Sequence, residues 1–370
     1  MIAYSCRVAD PAGQPLIEVA NFLSLDYALS VGGIGVLQLT MPASFDDRLF
    51  RLDGRVGVWR SIHGRPPTLD GESMFLIRTW QYTRETTTMT AYHAKSLLQR
   101  RILAYYAGTT YTTKNATPAG NLIKALVREN LGVGIVGTDR LGVETQADLS
   151  AWLAIQANMG DGANVAAQDA YADLYDLIKE IGNASTQAGI YLTTDIVAPT
   201  ESTLELRTYA GQRGVDHRAG SAAPIILSED AGTLTNCQLI IDRSREATMA
   251  ICAGTGEGTS RITATSMDAA RMGESPFNRI EVFGDYTTIS DPAALQAKAD
   301  AIVRAGRPHT EFTADIVETP GATRGIHYDL GDLVTAEFRG QQYDCRLDTI
   351  GVSVGGGGAQ TSKARVRYVG

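Results

Sequence analysis

The sequence predicts an α+β protein that is mainly β, with two similar small β-barrel domains and α+β insertions. Three observations carry this prediction. A Gly/Asp turn feeding a strand of alternating apolar residues occurs twice, as Leu52-Asp53-Gly54-Arg55-Val56-Gly57-Val58-Trp59 and as Leu330-Gly331-Asp332-Leu333-Val334-Thr335-Ala336-Glu337-Phe338. Each copy is preceded by a pair of runs that reads as a hairpin: Phe22 to Leu29 with Val36 to Met41, and Leu234 to Ile241 with Thr248 to Cys252. Each is followed by two more strand-like runs: Phe75 to Tyr82 with Thr87 to Tyr92, and Tyr343 to Val354 with Lys363 to Val369. Period-two alternation marks half-buried strands, and here the same order of strands appears twice.

Along the chain, Ile2 to Val8 opens as a short strand before the turn at Pro11-Ala12-Gly13. In the hairpin of 22–41, polar Ser24, Asp26, Gln38 and Thr40 alternate with apolar neighbours. Residues 61–72 read as a loop, and 93–103 as a short helix leaving the first barrel. Thr117-Pro118 predicts an N-cap with proline at the first helical position, then a helix to about Asn130 with Gly132 just past its end. Residues 132–167 carry no firm assignment. Ala170, Leu174, Leu177, Ile178 and Ile181 form an apolar stripe, predicting a helix over 167–181. Gly189 to Ile196 and Ser202 to Tyr209 read as strands. Asp291-Pro292 starts a further helix whose buried face is Leu295, Ala299, Ile302 and Val303. The domain reading is therefore 1–98 for the first barrel and 99–232 for an α+β insertion. The second barrel combines 233–264 with 309–370, and 265–308 is a helical and loop excursion.

The 370 residues carry a formal net charge of −8, with 44% hydrophobic and 20% charged residues. That balance suits a soluble globular protein. It argues against a general nucleic-acid binder, which needs a basic footprint to displace counterions, and leaves room for a local basic patch. Met1 to Asp10 lacks a basic start and a long apolar core, so no signal peptide is expected. No run approaches the roughly 18–20 apolar residues of a membrane span. Cys6, Cys237, Cys252 and Cys345 form no CxxC pair and read as free thiols of a reducing compartment.

Motifs that carry chemistry are sparse. Gly254-Thr-Gly256-Glu-Gly258-Thr-Ser260 has the glycines of a phosphate loop, but no Lys-Ser/Thr pair follows and the next residues read as a strand. It reads as a connecting loop, and Gly355 to Gly358 as a flexible hairpin tip. His63, His93, His217, His309 and His327 are scattered without zinc spacing. No serine sits in a GxSxG elbow. Asp329 and Asp332 are the nominees for a carboxylate pair, yet their Leu-Gly setting reads as turn chemistry. Glu180, Glu201 and Asp195 read as solvated surface charges. Arg100-Arg101 and Arg243/Arg245 read as salt-bridged or exposed, with contact to a partner as the alternative. Trp59 and Trp80 suit barrel interiors; with Trp152 they are also the candidate platform of a carbohydrate-binding module. No catalytic, cofactor-binding or metal-ligating residue is assigned, and no cofactor is expected.

Several stretches, in order, resemble one family. They are Phe75-Leu-Ile-Arg-Thr-Trp-Gln-Tyr82, Ala94 to Leu103, Gln168 to Gly189, and Leu204 to Arg213 with its Tyr-Ala-Gly-Gln-Arg. Ile225 to Leu234 follows, and then Tyr328-Asp-Leu-Gly-Asp-Leu-Val-Thr335. Together they resemble the tail-tip, or baseplate, hub proteins of long-tailed, siphovirus-type phages. The resemblance implies two hub barrels per subunit and a homotrimer whose six barrels give a quasi-sixfold ring. It implies a structural rather than enzymatic role: joining the sixfold distal tail ring to threefold tip fibres or a spike, and closing the tail lumen until DNA ejection. The implied partners are further copies of the chain, the distal tail protein ring, the tape-measure protein C-terminus, and tip fibre or receptor-binding proteins. DNA passes transiently, and no stable membrane insertion is implied. The implied location is the virion tail tip, after assembly in the host cytoplasm. No hydrolase module is seen after the second barrel, so cell-wall degradation is expected of another chain. The alternative is a β-rich glycan-degrading or glycan-binding tail protein, which needs a convergent carboxylate or His/Arg cluster.

Overall fold

The computed structural model describes residues 2–104, 112–131, 139–140, 144–145, 149–169, 171–317, 319–356, 358 and 360–368. The N-terminal part is seven strands: β1 (Ile2–Ala9), β2 (Pro15–Val19), β3 (Ser24–Ser30), β4 (Val36–Pro42), β5 (Arg55–Ile62), β6 (Thr68–Tyr82) and β7 (Thr86–His93). The alternation legible in the sequence is the alternation of burial: Leu25, Tyr27 and Leu29 of β3 and Leu37, Leu39 and Met41 of β4 face the core. β3 and β4 approach so closely at their connection that a Cβ on Gly35 would lie 2.1 Å from the Ala28 carbonyl oxygen. Only glycine fits there. Residues 94–100 form a 3-10 helix.

The middle of the chain contains β8 (Thr112–Pro118), α1 (Ala119–Leu131), β9 (Asp139–Arg140), β10 (Glu144–Thr145), β11 (Leu153–Ile155), β12 (Asn164–Asp169), α2 (Leu174–Gln187), β13 (Leu192–Val197), β14 (Leu204–Ala210), β15 (Asp216–His217) and β16 (Ile226–Ser228). α1 and α2 pack together and share one apolar core with the sheet β11-β14-β13. Two helix starts differ from the sequence expectation. Pro118 ends β8, and the first α1 amides are satisfied by the carbonyls of Ala163 and Asp161 rather than by a Thr117 cap. α2 starts at Leu174, because Asp173 caps it by accepting from the amides of Tyr175 and Asp176 at 2.8 and 3.2 Å. The preceding Asn164–Asp169 is instead a strand paired with β8. Gly132 and Ala170, assigned to a helix end and a helix face, lie outside the described residues.

The remaining elements are β17 (Leu234–Asp242), β18 (Met249–Ala253), β19 (Thr263–Met267), α3 (Ala269–Met272), β20 (Glu281–Asp285), α4 (Pro292–Ala305), β21 (His309–Ile316), β22 (Leu333–Phe338), β23 (Gln341–Gly355) and β24 (Gln360–Tyr368). The chain divides into two compact units, Met1–Cys237 with Thr313–Gly370, and Gln238–Phe312. In the smaller unit, Leu295, Ala299 and Val303 of α4 pack on Ala250, Cys252 and Ala264 of the sheet β19-β18-β20. The hairpin expected over 234–252 does not form, since β17 neighbours β21 while β18 lies in a different sheet. The charged segment 242–246 between these two runs is held by ion pairs. Buried Glu246 takes Arg243 at 2.6 Å and Arg271 at 3.3 Å, and Arg271 also donates to the carbonyls of Val303 and Gly306.

The repeat seen in the sequence is present in the pairing. The strand order β3-β4-β7-β6-β5 recurs as β17-β21-β24-β23-β22. Both Gly/Asp turns clamp a long strand in the same way. The Asp53 amide donates to Ile77 O at 3.0 Å and the Ile77 amide to Gly54 O at 2.9 Å; Gly331 donates to Leu347 O at 2.8 Å and Leu347 to Asp332 O at 2.9 Å. A register shift follows each clamp, between Ile77 and Thr79 and between Leu347 and Thr349. The two sets are not separate, because β23 pairs antiparallel with β3, Thr349 facing Ser30 and Gly355 facing Ser24. The resulting strand path runs from β17 to β2, and among the described residues no pairing closes it. The fold is α+β and mainly β.

Buried charges tie the connections to this sheet. Arg324 donates to Tyr27 Oη at 3.0 Å and to Asp70 at 2.5 Å, and Arg60 donates to the Arg324 carbonyl. Asp195, expected as a surface charge, is 2% exposed. It meets Lys95 at 3.3 Å and Arg213 at 3.0 Å, with His93 Nδ1 at 3.9 Å. Lys95 Nζ also donates to the carbonyls of Ser30, Val31 and Gly33. A buried carboxylate is tolerated because cations and donors surround it. Burial pulls the His93 pKa down to about 4, against the attraction of Asp195, with Lys95 and Arg213 adding to the fall.

Two outcomes are expected. His93 is neutral in the folded chain, whereas an unfolded histidine titrates near 6.5, so the unfolded state binds more protons between these values. Stability is therefore full above pH ~6.5 and falls as pH drops toward 4, by up to ~1.4 kcal/mol per pH unit. Urea unfolding across that range measures the slope, and His93→Gln flattens it. Asp195→Asn leaves Lys95 and Arg213 without their counter-charge and costs about 3–5 kcal/mol in urea unfolding at pH 7.

Candidate assembly surfaces

The residues nominated for chemistry do not converge. Asp332 is a turn former: its carboxylate accepts from the amides of Val215 at 2.6 Å and Asp329 at 2.7 Å. Asp329 accepts from the Leu330 amide at 2.7 Å. A Cβ on Gly214 would lie 2.0 Å from Asp332 Oδ1, so this lock needs glycine on the facing loop. Burial raises the pKa of both acids; Arg324 opposes this at Asp329, and the backbone donors oppose it at Asp332. His217 Nε2 lies 3.7 Å from Asp332.

The other nominees are equally dispersed. His93 is buried and His63 and His309 are exposed, while His327 accepts from the Thr323 amide at 2.9 Å. Among the described residues no group of three His, Cys, Asp or Glu is placed to hold a metal. Cys6, Cys252 and Cys345 are buried, and burial pushes the Cys6 and Cys345 thiols up to about 12. Gly254–Ser260 runs into a 3-10 turn and then β19, with no helix N-terminus behind it. Part of Gly355 to Gly358 lies outside the described residues. Arg100 pairs with Asp53 at 2.8 Å, and Glu201 pairs with Arg7. Glu180 and Arg245 are exposed. Trp80 packs against the sheet core, Arg7 lies 3.8 Å from the Trp59 ring, and Trp152 is exposed.

Sequence reasoning missed one cavity, of about 380 Å³, between the β3–β4 connection and one face of α2. Tyr175, Lys179, Asn183 and Thr186 line one wall and Tyr191 to Thr194 another. Lys95 forms part of its lining, but its donors are committed to Asp195 and three carbonyls. The 3.6-residue spacing of 175, 179, 182 and 186 was the available signal. Among the described residues no helix is long and apolar enough to cross a membrane.

What the described surface offers instead is sheet edge and exposed apolar side chains. β17 and β2 end the long strand path, and β19 and β20 are the edges of the small sheet. Exposed apolar residues lie on or beside these elements, among them Ile240, Ile241, Met267, Phe277 and Phe283, with Tyr82 at the end of β6. Exposed strand edges and apolar side chains of this kind are suited to association with other chains.

Known proteins share this arrangement. The chain is similar in fold to the 43 kDa tail protein of prophage MuSo2 from Shewanella oneidensis, at 12% identity and a TM-score of 0.62, over 98% of both chains. It is similar to the tail protein from Neisseria meningitidis MC58, at 11% identity and a TM-score of 0.61, over 99% of this chain and 96% of that one. Prophage tail protein gp18 from Listeria monocytogenes EGD-e matches at 10% identity and a TM-score of 0.55, over 98% and 94%. No curated protein matches the sequence. A family model described as the siphovirus ReqiPepy6 Gp37-like protein matches residues 6–366. Matched from the first strand to the last, the chain belongs to the siphovirus ReqiPepy6 Gp37-like protein family.

Proposed function

We propose that this chain is a structural hub protein of a phage tail tip. It acts as a homotrimer that joins the sixfold distal tail ring to threefold tip fibres or a spike and keeps the lumen closed until DNA ejection. One observation carries the reading: the strand order β3-β4-β7-β6-β5 is built again as β17-β21-β24-β23-β22 within a single chain. A chain that presents one shape twice gives six similar faces when three copies close a ring. The two strand sets are the two hub barrels, and residues 99–232 and the smaller unit are elaborations on them. The whole-length similarity to three tail proteins, two of them from prophages, supports the tail assignment. The tape-measure C-terminus and receptor-binding fibres are the partners this position implies, and the virion tail is the location. The role is mechanical, and the dispersed nominees above supply no reaction centre for the glycan-degrading alternative.

The expected outcome is a solution mass of three times 39.6 kDa by light scattering. Class averages of the particle show a ring with threefold symmetry and a pseudo-sixfold outline. A monomer at the highest soluble concentration overturns the reading.

A further inference from the structure

A pocket of about 170 Å³ combines apolar walls with arginine. Leu97 comes from the 3-10 helix 94–100 and Leu204 from the start of β14. Leu149 and Trp152 come from the turn that leads into β11. That turn is closed by the Trp152 and Leu153 amides, which donate to Leu149 O at 2.9 and 3.0 Å. It holds Trp152 at the mouth, 44% exposed. The volume is more than ten times the ~10–15 Å³ that one water needs, so a large side chain has room to enter. Water gains little there, because a buried water needs roughly two to four polar partners and these walls are mostly apolar.

The charges around this pocket do not balance. Arg55 lines it, is 1% exposed, and makes no ion pair among the described residues. Its Nε and Nη1 donate to the carbonyls of Pro11 and Ser202 at 3.1 and 2.6 Å, and its Nη2 has no acceptor among the described residues. Burial pulls the Arg55 pKa below the usual arginine range, and Asp10 opposes this without forming an ion pair. Arg100 pairs with Asp53 through Nη1 at 2.8 Å, while its own Nη2 is buried without an acceptor. Asp53 is shared with Arg78 at 3.1 Å. A desolvated cation without a counter-charge is costly, and a carboxylate brought to it removes that cost.

We propose that this pocket is the docking site for an acidic segment of another protein, which inserts a leucine or aromatic side chain between Leu149, Trp152 and Leu204 and brings an adjacent carboxylate to Arg55. Shape and charge select this occupant together. The apolar walls take a side chain without polar atoms, and the Arg55 Nη2 takes a carboxylate oxygen in a charge-assisted hydrogen bond. Binding hot spots are anchors of this kind, seated in a desolvated pocket. A phosphate or a nucleic acid answers the charge but leaves the apolar walls uncovered. The site needs neither the trimer nor the hub role proposed above.

The test uses the full chain and end-capped pentapeptides. One peptide has leucine between two glutamates; in the others alanine replaces the leucine, or lysines replace the glutamates. Calorimetry reads the affinity, and tryptophan fluorescence reads the transfer of Trp152 out of water. The leucine–glutamate peptide is expected to bind with a blue shift, and the other two to bind about ten-fold more weakly or worse. Arg55→Met is expected to cost about ten-fold in affinity. Because Arg55 also holds two carbonyls, Trp152→Ala tests the mouth without touching them and is expected to weaken binding by a similar factor. Thermal unfolding shows which variants are folded. Equal binding of the lysine peptide overturns the charge match, and equal binding of the alanine peptide overturns the anchor. Binding of octanoate but of no peptide overturns the protein partner in favour of a small acid. Peptide binding that appears only after dilution to a monomer assigns the pocket to a second copy and overturns the foreign partner. No peptide binding by the folded wild type up to the solubility limit overturns the docking site itself.

Discussion

The antiparallel joint between β3 and β23 is the constraint on which the rest of the main unit depends. It brings residues 24–30 onto residues 349–355, so nearly the whole chain lies between its two strands. Six apolar side chains meet beneath it, Leu25, Tyr27 and Leu29 with Ile350, Val352 and Val354. Fully burying an aliphatic side chain of this size contributes about 1.5–3 kcal/mol, so the joint is a substantial part of the core. Without it the two copies of the strand set would each present an open edge. With it they form one continuous sheet.

Everything that connects the strand sets is then locked to that sheet by charge. Arg324 reaches Tyr27 on β3 and Asp70 on β6, which fixes the segment leading into the second Gly/Asp turn. Lys95 grips the carbonyls of the β3–β4 connection and, through Asp195, holds β13 of the insertion. Asp332 caps the amide of Val215 and so fixes the loop that enters β15. Each group is buried with its partners, and losing one partner leaves a stranded charge or amide. Such locks favour one arrangement of loops over many similar ones, which suits a part that must match its neighbours in shape.

The legible part of the fold was local. Alternation along 22–41 and 75–92 identified β3, β4, β6 and β7, because one face of each is buried and the period is two. The repeat was visible because the same turn chemistry and the same order of runs recur. Helix starts were less legible: the 174–181 stripe was correct, yet the start depended on Asp173 meeting two amides. Asp195 looked like any acidic residue on a polar strand, since its cationic neighbours Lys95 and Arg213 lie more than 15 positions away. The hairpin expected over 234–252 failed for a similar reason. The run 242–246 has the polarity of a turn, but Glu246 is recruited by Arg271 and the chain leaves the sheet.

The sequence by itself determined the class of the fold and the two-fold repetition of its strand set. Side-chain period and turn chemistry are properties of neighbouring residues, and a linear reading captures them. The tertiary structure decided which edge meets which, which charges are buried, and that the two sets form one sheet. Pairing partners and burial depend on residues far apart in the chain, and no local pattern near Ser24 names Gly355 as its neighbour.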